Sequence, residues 1–149
     1  MMNSFSFKTP IGWITIKSKS SMLLSVKFGK LNNYRSSQYL IKISKQIKLY
    51  TLGKLKKFRI DYKLSGSPLQ IKIWRELSKI KYGKKKSYGE IAKKLNTSPR
   101  YVGNVCGQNN LLIIVPCHRV IRSDGSLGGF SGLGGIKLKK KLLQIESNV

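Results

Sequence analysis

The chain has 149 residues and carries 30 Lys plus Arg against 5 Asp plus Glu, a formal charge of +25. With 40% hydrophobic and 9% aromatic residues it can bury a core, which excludes a chain disordered throughout, and its length excludes a large multidomain assembly. A lysine-rich composition would raise the Lys count without removing acids, so the imbalance points to a polyanionic partner, with nucleic acid ahead of an anionic membrane surface.

The opening "MMNSFSFKTPIGW" lacks a basic start followed by a sustained apolar run, so no secretory signal is expected. "SFSFK", "IGWITIK" and "MLLSVKF" alternate apolar with polar residues, and "TPIG" and "SKSS" supply turn chemistry between them. A small antiparallel meander is predicted. Leu40, Ile41, Ile43, Ile47 and Tyr50 fit a helix over 37–52 that Gly53 ends, and "KFRIDYKL" (57–64) returns to period two. Residues 1–64 are therefore expected to form a small α+β N-terminal domain, with "SGS" as the linker to a second domain over 65–149.

Ser67, Pro68 and Gln70 form a helix-start signal, with Ser as N-cap, Pro at the first position and Gln able to reach back to the cap. The stripe Leu69, Ile73, Trp74, Leu77 and Ile80 predicts a helix from Pro68 to about Ile80, closed by Gly83. Tyr88, Ile91, Ala92 and Leu95 mark another helix; "NTS" is a turn with a cap, and Pro99 opens a further helix with Val102 and Val105 inward. Two short helices joined by a tight polar turn make a helix-turn-helix, a unit that can lay its second helix against DNA. "LLIIV" (Leu111–Val115) predicts a short buried strand that Pro116 ends, and it is too short to cross a bilayer; no segment shows the apolar face of an interfacial helix. No membrane partner is expected. The "SDGS" turn suggests a hairpin, "LGGFSGLGG" a loop, and Leu138, Leu142, Leu143 and Ile145 a final helix. The predicted class is α+β: an antiparallel sheet with a helix, then a mainly helical part with a helix-turn-helix and a short strand or hairpin at the active site.

The chain's one histidine follows directly on one of its two cysteines, Cys117-His118. This usage fits a reducing compartment, the cytoplasm, with the nucleoid in a bacterium. A free thiol is only a few per cent thiolate at neutral pH, and a nearby histidine or cation increases that fraction. Neighbours in a regular strand point to opposite faces, so Cys117 and His118 can couple only through the Pro116 break or a bridging water. From these residues alone, an inert buried cysteine, a zinc site using Cys106, Cys117 and His118, and a cysteine hydrolase stay open beside a reactive thiol. Zinc lacks paired Cys-x-x-Cys spacing, and a hydrolase lacks a locatable carbonyl-binding site.

"IVPCHRVI", preceded by "SYGEIAKKL", "PRYVG" and Asn109 and followed by "GGFSG" and "KLLQIE", resembles the O6-alkylguanine-DNA alkyltransferases, also called methylated-DNA–protein-cysteine methyltransferases. The match runs in register from about Ser67 to Glu146, and "TPIGW" with the meander resembles the family's smaller N-terminal domain more loosely. The resemblance implies that Cys117 accepts the alkyl group, that His118 deprotonates it through a water, that Glu146 orients His118, and that Asn109 braces the turn before the active site. It further implies that Tyr88 donates to the departing guanine, that Arg100 fills the gap left by the extruded nucleotide, that Tyr101 and Asn104 lie on the DNA-facing helix, and that the Val120 backbone and Ser131 read the guanine edge. Chemistry on a base within a duplex requires such extrusion. No cofactor and no metal are implied, the partner is double-stranded DNA containing O6-alkylguanine, and a monomer is expected. Asn110 stands where the family usually has proline, Tyr101 and Asn104 replace smaller residues, and Phe130 is an aromatic exchange. A binding-only alkyltransferase-like protein and a helix-turn-helix regulator are the alternatives; relatives of the first kind lack the acceptor cysteine.

Overall fold

The computed structural model describes residues 2–32, 35–128 and 135–147. Strands β1 (Met2–Thr9), β2 (Gly12–Lys19) and β3 (Met22–Phe28) form an antiparallel sheet in the order β1-β2-β3. Register is pinned by the turns: Thr9 Oγ1 donates to the Gly12 carbonyl at 2.7 Å, and Ser20 and Ser21 both take positive φ, 51° and 59°, the backbone of a tight hairpin turn. Phe7, Ile14, Ile16, Leu23, Val26 and Phe28 are buried. Helix α1 (Gln38–Thr51), capped by Ser37, adds Leu40, Ile43, Ile47 and Tyr50 to the same core.

The predicted period-two segment 57–64 is extended but is not a strand of the sheet. It touches β3 at a single parallel bridge, Leu23 to Tyr62, through Leu23 N–H to the Asp61 carbonyl (2.9 Å) and Lys63 N–H to the Leu23 carbonyl (3.0 Å). Its alternation reflects Phe58, Ile60, Tyr62 and Leu64 packing half-buried against the core.

Helix α2 (Pro68–Leu77) starts with the expected reciprocal cap between Ser67 and Gln70. It ends before Ile80, because the backbone tightens to i→i−3 bonds, Lys79 to Glu76 and Ile80 to Leu77, although Ile80 stays buried. Helix α3 (Tyr88–Leu95) has its own capping box, Ser87 with Glu90, and ends at Asn96 in the left-handed conformation (φ 56°). Ser98 caps helix α4 (Pro99–Gly107), so a three-residue turn separates the two helices as the sequence predicts.

The run "LLIIV" is not a strand. Its residues form a compact turn: Val115 N–H reaches the Leu111 carbonyl (2.9 Å), Ile114 N–H the Leu112 carbonyl (2.8 Å), and Ile113 takes φ 72°. It hangs on the edge of β3 through Val26 N–H to the Asn110 carbonyl (2.8 Å) and Leu112 N–H to the Val26 carbonyl (3.2 Å). The expected hairpin around "SDGS" is also absent among the described residues. β5 (Val120–Ile121) instead pairs in parallel with β4 (Lys86–Ser87), and 122–126 close as a turn. Helix α5 (Gly135–Ser147) packs Leu138 and Leu142 inward. The whole is an α+β fold. Among the described residues no helix is long and apolar enough to cross a membrane.

Candidate active site

Cys117 opens a one-turn 3-10 segment, Cys117–Arg119, directly after Pro116. That turn resolves the adjacency problem: the chain is not extended here, so Cys117 and His118 are not fixed on opposite faces. Asn109 holds the approach. Its Oδ1 accepts from Leu111 N–H (2.8 Å), and its Nδ2 donates to the Val115 carbonyl (2.9 Å) and to Cys117 Sγ (3.2 Å). One buried amide thus ties the end of α4, the turn and the thiol together.

Cys117 is 2% exposed and lines a cavity of about 570 Å³ whose described walls include Tyr88, Arg100, Gly103, Cys106 and Gly128. Burial pushes the Cys117 thiol up to about 11, against the opposing pull of the Asn109 amide and the Lys139 cation. The group is therefore a thiol at neutral pH and must lose its proton to react. Cys106 is raised further, chiefly by burial. Among the described residues no group of three or more His, Cys, Asp or Glu side chains comes together, so Cys106, Cys117 and His118 do not make the ligand set that zinc requires.

His118 is fully buried, and its Nε2 lies 2.6 Å from Glu146 Oε2. Arg119 grips the same carboxylate as a fork, Nε to Oε1 at 2.8 Å and Nη2 to Oε2 at 3.0 Å, and donates Nη1 to the Ile80 carbonyl at 2.6 Å. Tyr50 Oη donates to Glu146 Oε2 at 2.5 Å and Gly83 N–H to Oε1 at 3.2 Å. Burial alone would raise the Glu146 carboxyl, but the bonds from His118, Arg119 and Tyr50 win and hold it well below the usual carboxylate range. Burial dominates at His118 and lowers its pKa despite Glu146, so the imidazole is neutral at pH 7. An ionised Glu146 accepts the Nε2 proton, which leaves Nδ1 with the lone pair; Nδ1 has no hydrogen-bond partner among the described residues. This is the arrangement of a general base.

Tyr88, half-buried at the start of α3, lines the cavity; burial and the two thiols push its phenol up to about 12. The fully buried Lys139 donates to Tyr88 Oη at 3.1 Å and to the Leu127 carbonyl at 2.5 Å. Gly128 (φ 71°) packs so closely that a Cβ there would lie 3.1 Å from Tyr88 Oη. Arg100 is exposed in the first turn of α4 at the cavity rim, Asn104 is exposed on α4 and Tyr101 is half-buried there. Val120 is buried in β5 opposite Lys86. Ser131 and Phe130 lie outside the described residues. Cys117, Tyr88 and Arg100 thus line one cavity, Asn109 bonds to the thiol without lining that cavity, and His118, next in the turn after Cys117, is bonded to Glu146. Sequence reading missed Tyr50, Arg119, Gly83 and Lys139. Only Arg119 carried a local signal, its place in "PCHR".

Residues 68–148 match the family model described as 6-O-methylguanine DNA methyltransferase, DNA binding domain. A methylated-DNA–protein-cysteine methyltransferase of Saccharolobus islandicus is 35% identical over 142 residues, covering 94% of this chain and 92% of its own. The chain belongs to this methyltransferase family. A Metallosphaera sedula member is 31% identical and covers 100% of this chain and 96% of its own. The O6-methylguanine methyltransferase of Mycobacterium tuberculosis superimposes with a TM-score of 0.87 at 32% identity, covering 99% of this chain and 93% of that one. The family's OGT from the same organism, solved in complex with DNA, also gives 0.87 at 33% identity, over 97% and 92%.

Proposed function

We propose that this chain repairs O6-alkylguanine in double-stranded DNA by moving the alkyl group, methyl in the simplest case, irreversibly onto Cys117. The observation that carries it is the Cys117 thiol in a cavity beside a helix-turn-helix, bonded to Asn109 and followed by a neutral His118 held by an ionised Glu146. His118 takes the thiol proton through a water. The thiolate attacks the alkyl carbon in line with the C–O6 bond; the S–C bond forms, the C–O6 bond breaks and its electron pair goes to the guanine. Tyr88 hydrogen-bonds or donates a proton to that developing charge, and Lys139 stands behind it. Asn109 holds the turn in place, Arg100 fills the space of the extruded nucleotide, and Tyr101 and Asn104 face the duplex. The Val120 backbone and Ser131 read the base edge.

The atoms balance without a cofactor. A thioether offers no leaving group to the side chains around it, so each molecule reacts once. Residues 65–149 carry DNA binding and transfer, residues 1–64 form the supporting domain, and the chain works as a monomer in the cytoplasm, with the nucleoid if bacterial.

Incubation with a duplex containing O6-methylguanine tests the reaction. The peptide bearing Cys117 should gain one methyl mass, stoichiometric with lesion loss, and Cys117→Ser should gain none while still binding the duplex. Lesion binding by the unmodified chain with no mass gain sinks the transferase and leaves a binding-only protein.

A further inference from the structure

We infer that Tyr50, in the middle of the N-terminal half, is a positioning residue for alkyl transfer: its hydroxyl occupies Glu146 Oε2 and limits how strongly that carboxylate draws a proton onto His118. The contact spans 96 residues of chain, at 2.5 Å, and the same hydroxyl lies 3.3 Å from His118 Nε2. Tyr50 is completely buried, tilted on Phe58 (5.4 Å between centroids) and edge-on to Tyr82 (6.1 Å), so the phenol has no freedom to leave.

A buried carboxylate left with an imidazole alone favours the imidazolium. A cationic imidazole cannot accept the thiol proton, so an unshared Glu146 would disable the base that it orients. Five donor contacts from four residues share the charge: Tyr50, His118 and Arg119 Nη2 on Oε2, and Arg119 Nε and Gly83 N–H on Oε1. Arg119 is a full cation and Gly83 is backbone. Among the described residues Tyr50 is the one neutral side chain besides His118 itself that donates to Glu146. The charged and titratable groups facing this cluster are Glu146 and Lys139 from α5, Arg119 and His118 from the 3-10 turn, and Tyr82 from the loop before β4. Burial and Glu146 both raise the Tyr50 phenol, so it stays a donor throughout the working range of pH.

The single histidine makes the test direct, because an isotope-labelled sample shows one imidazole. The full chain, Tyr50→Phe, and a chain carrying 3-fluorotyrosine at position 50 alone are titrated free of DNA. Loss of the hydroxyl should move His118 titration up by roughly one unit, and the more acidic fluorinated phenol, a stronger donor, should move it down. Because this role presupposes alkyl transfer at Cys117, single-turnover methyl transfer is followed in parallel. Its acid limb should shift with the imidazole, so Tyr50→Phe reacts about tenfold more slowly on that limb with unchanged lesion affinity. Titrations that superimpose on the parent chain, or move in the opposite senses, make Tyr50 a packing residue only. If Tyr50→Phe does not fold, the fluorinated chain decides alone, since it keeps ring and hydroxyl. A parent chain that takes no methyl group would overturn the proposed reaction while leaving the imidazole titration readable.

Discussion

At the scale of single residues, Lys139 is the least expected member of the site. Its ammonium is fully buried, 5.4 Å from the Tyr88 ring centroid and bonded to Tyr88 Oη, and it pulls the Cys117 thiol down against burial. Burying a cation opposes stability, so Lys139→Met, similar in length and apolar, should leave the melting temperature unchanged or raised. Methyl transfer should nevertheless slow by about 10- to 100-fold, the equivalent of one charged hydrogen bond of roughly 1.5–3 kcal/mol. A matched loss of melting temperature and rate would reassign Lys139 to the core. The proposed acceptor and base, Cys117 and His118, stand out in the sequence because they are neighbours in "PCHR" and because a thiol beside the only histidine is chemically marked. Lys139 does not, being one of 30 cations, and its partner Tyr88 lies 51 residues away. Tyr50 likewise read as one more apolar position on α1, because nothing local points to Glu146.

At the scale of elements, the capped helices were readable while the segment that delivers the thiol was not. Ser67 with Gln70, the Asn96–Ser98 turn and Pro99 act through neighbours three or four residues away, and their structure follows from that chemistry. "LLIIV" carries only apolarity, which a strand and a buried turn share. What selects the turn is Asn109, whose amide stands in for a ladder by accepting from Leu111 and donating to Val115, while Ile113 takes a left-handed conformation costly for a β-branched residue. Asn109→Ala should therefore cost about 1–3 kcal/mol in urea unfolding, since it leaves the buried Leu111 N–H unpaired and removes one of two donors to the Val115 carbonyl, which keeps the Cys117 N–H. It should also slow methyl transfer in the remaining folded protein. An Asn109→Ala chain with an unchanged urea midpoint would show that the turn holds itself, and the Asn109 contacts would then concern the thiol alone.

At the scale of the whole molecule, the N-terminal sheet and helix meet the DNA-binding half at chemically sensitive points. β3 bonds to the turn before Cys117, and α1 reaches Glu146 through Tyr50. Global stability and the ionisation of the site are thereby linked, and the signs can be worked out. His118 and Glu146 both have pKa values lowered by folding, so the unfolded chain binds more protons as pH falls, and stability present above 6.5 for His118 and above 4.5 for Glu146 is lost on acidification. Cys117 is raised by folding, to about 11 from 9.0, so its contribution is present below pH 9.0 and is lost as pH rises toward 11. Thermal melts across pH should form a plateau from about 6.5 to 9 that falls on both sides. Cys117→Ser, which removes one of the two raised thiols, should make the alkaline fall shallower, with Cys106 sustaining the rest of it, and leave the acid one intact. Glu146→Gln should flatten the acid fall below pH 4.5 while lowering the plateau, because Arg119 then loses its buried counter-charge. If neither variant alters the shape of its own limb, these two side chains do not set the pH range over which the fold holds, and the scattered surface charges do.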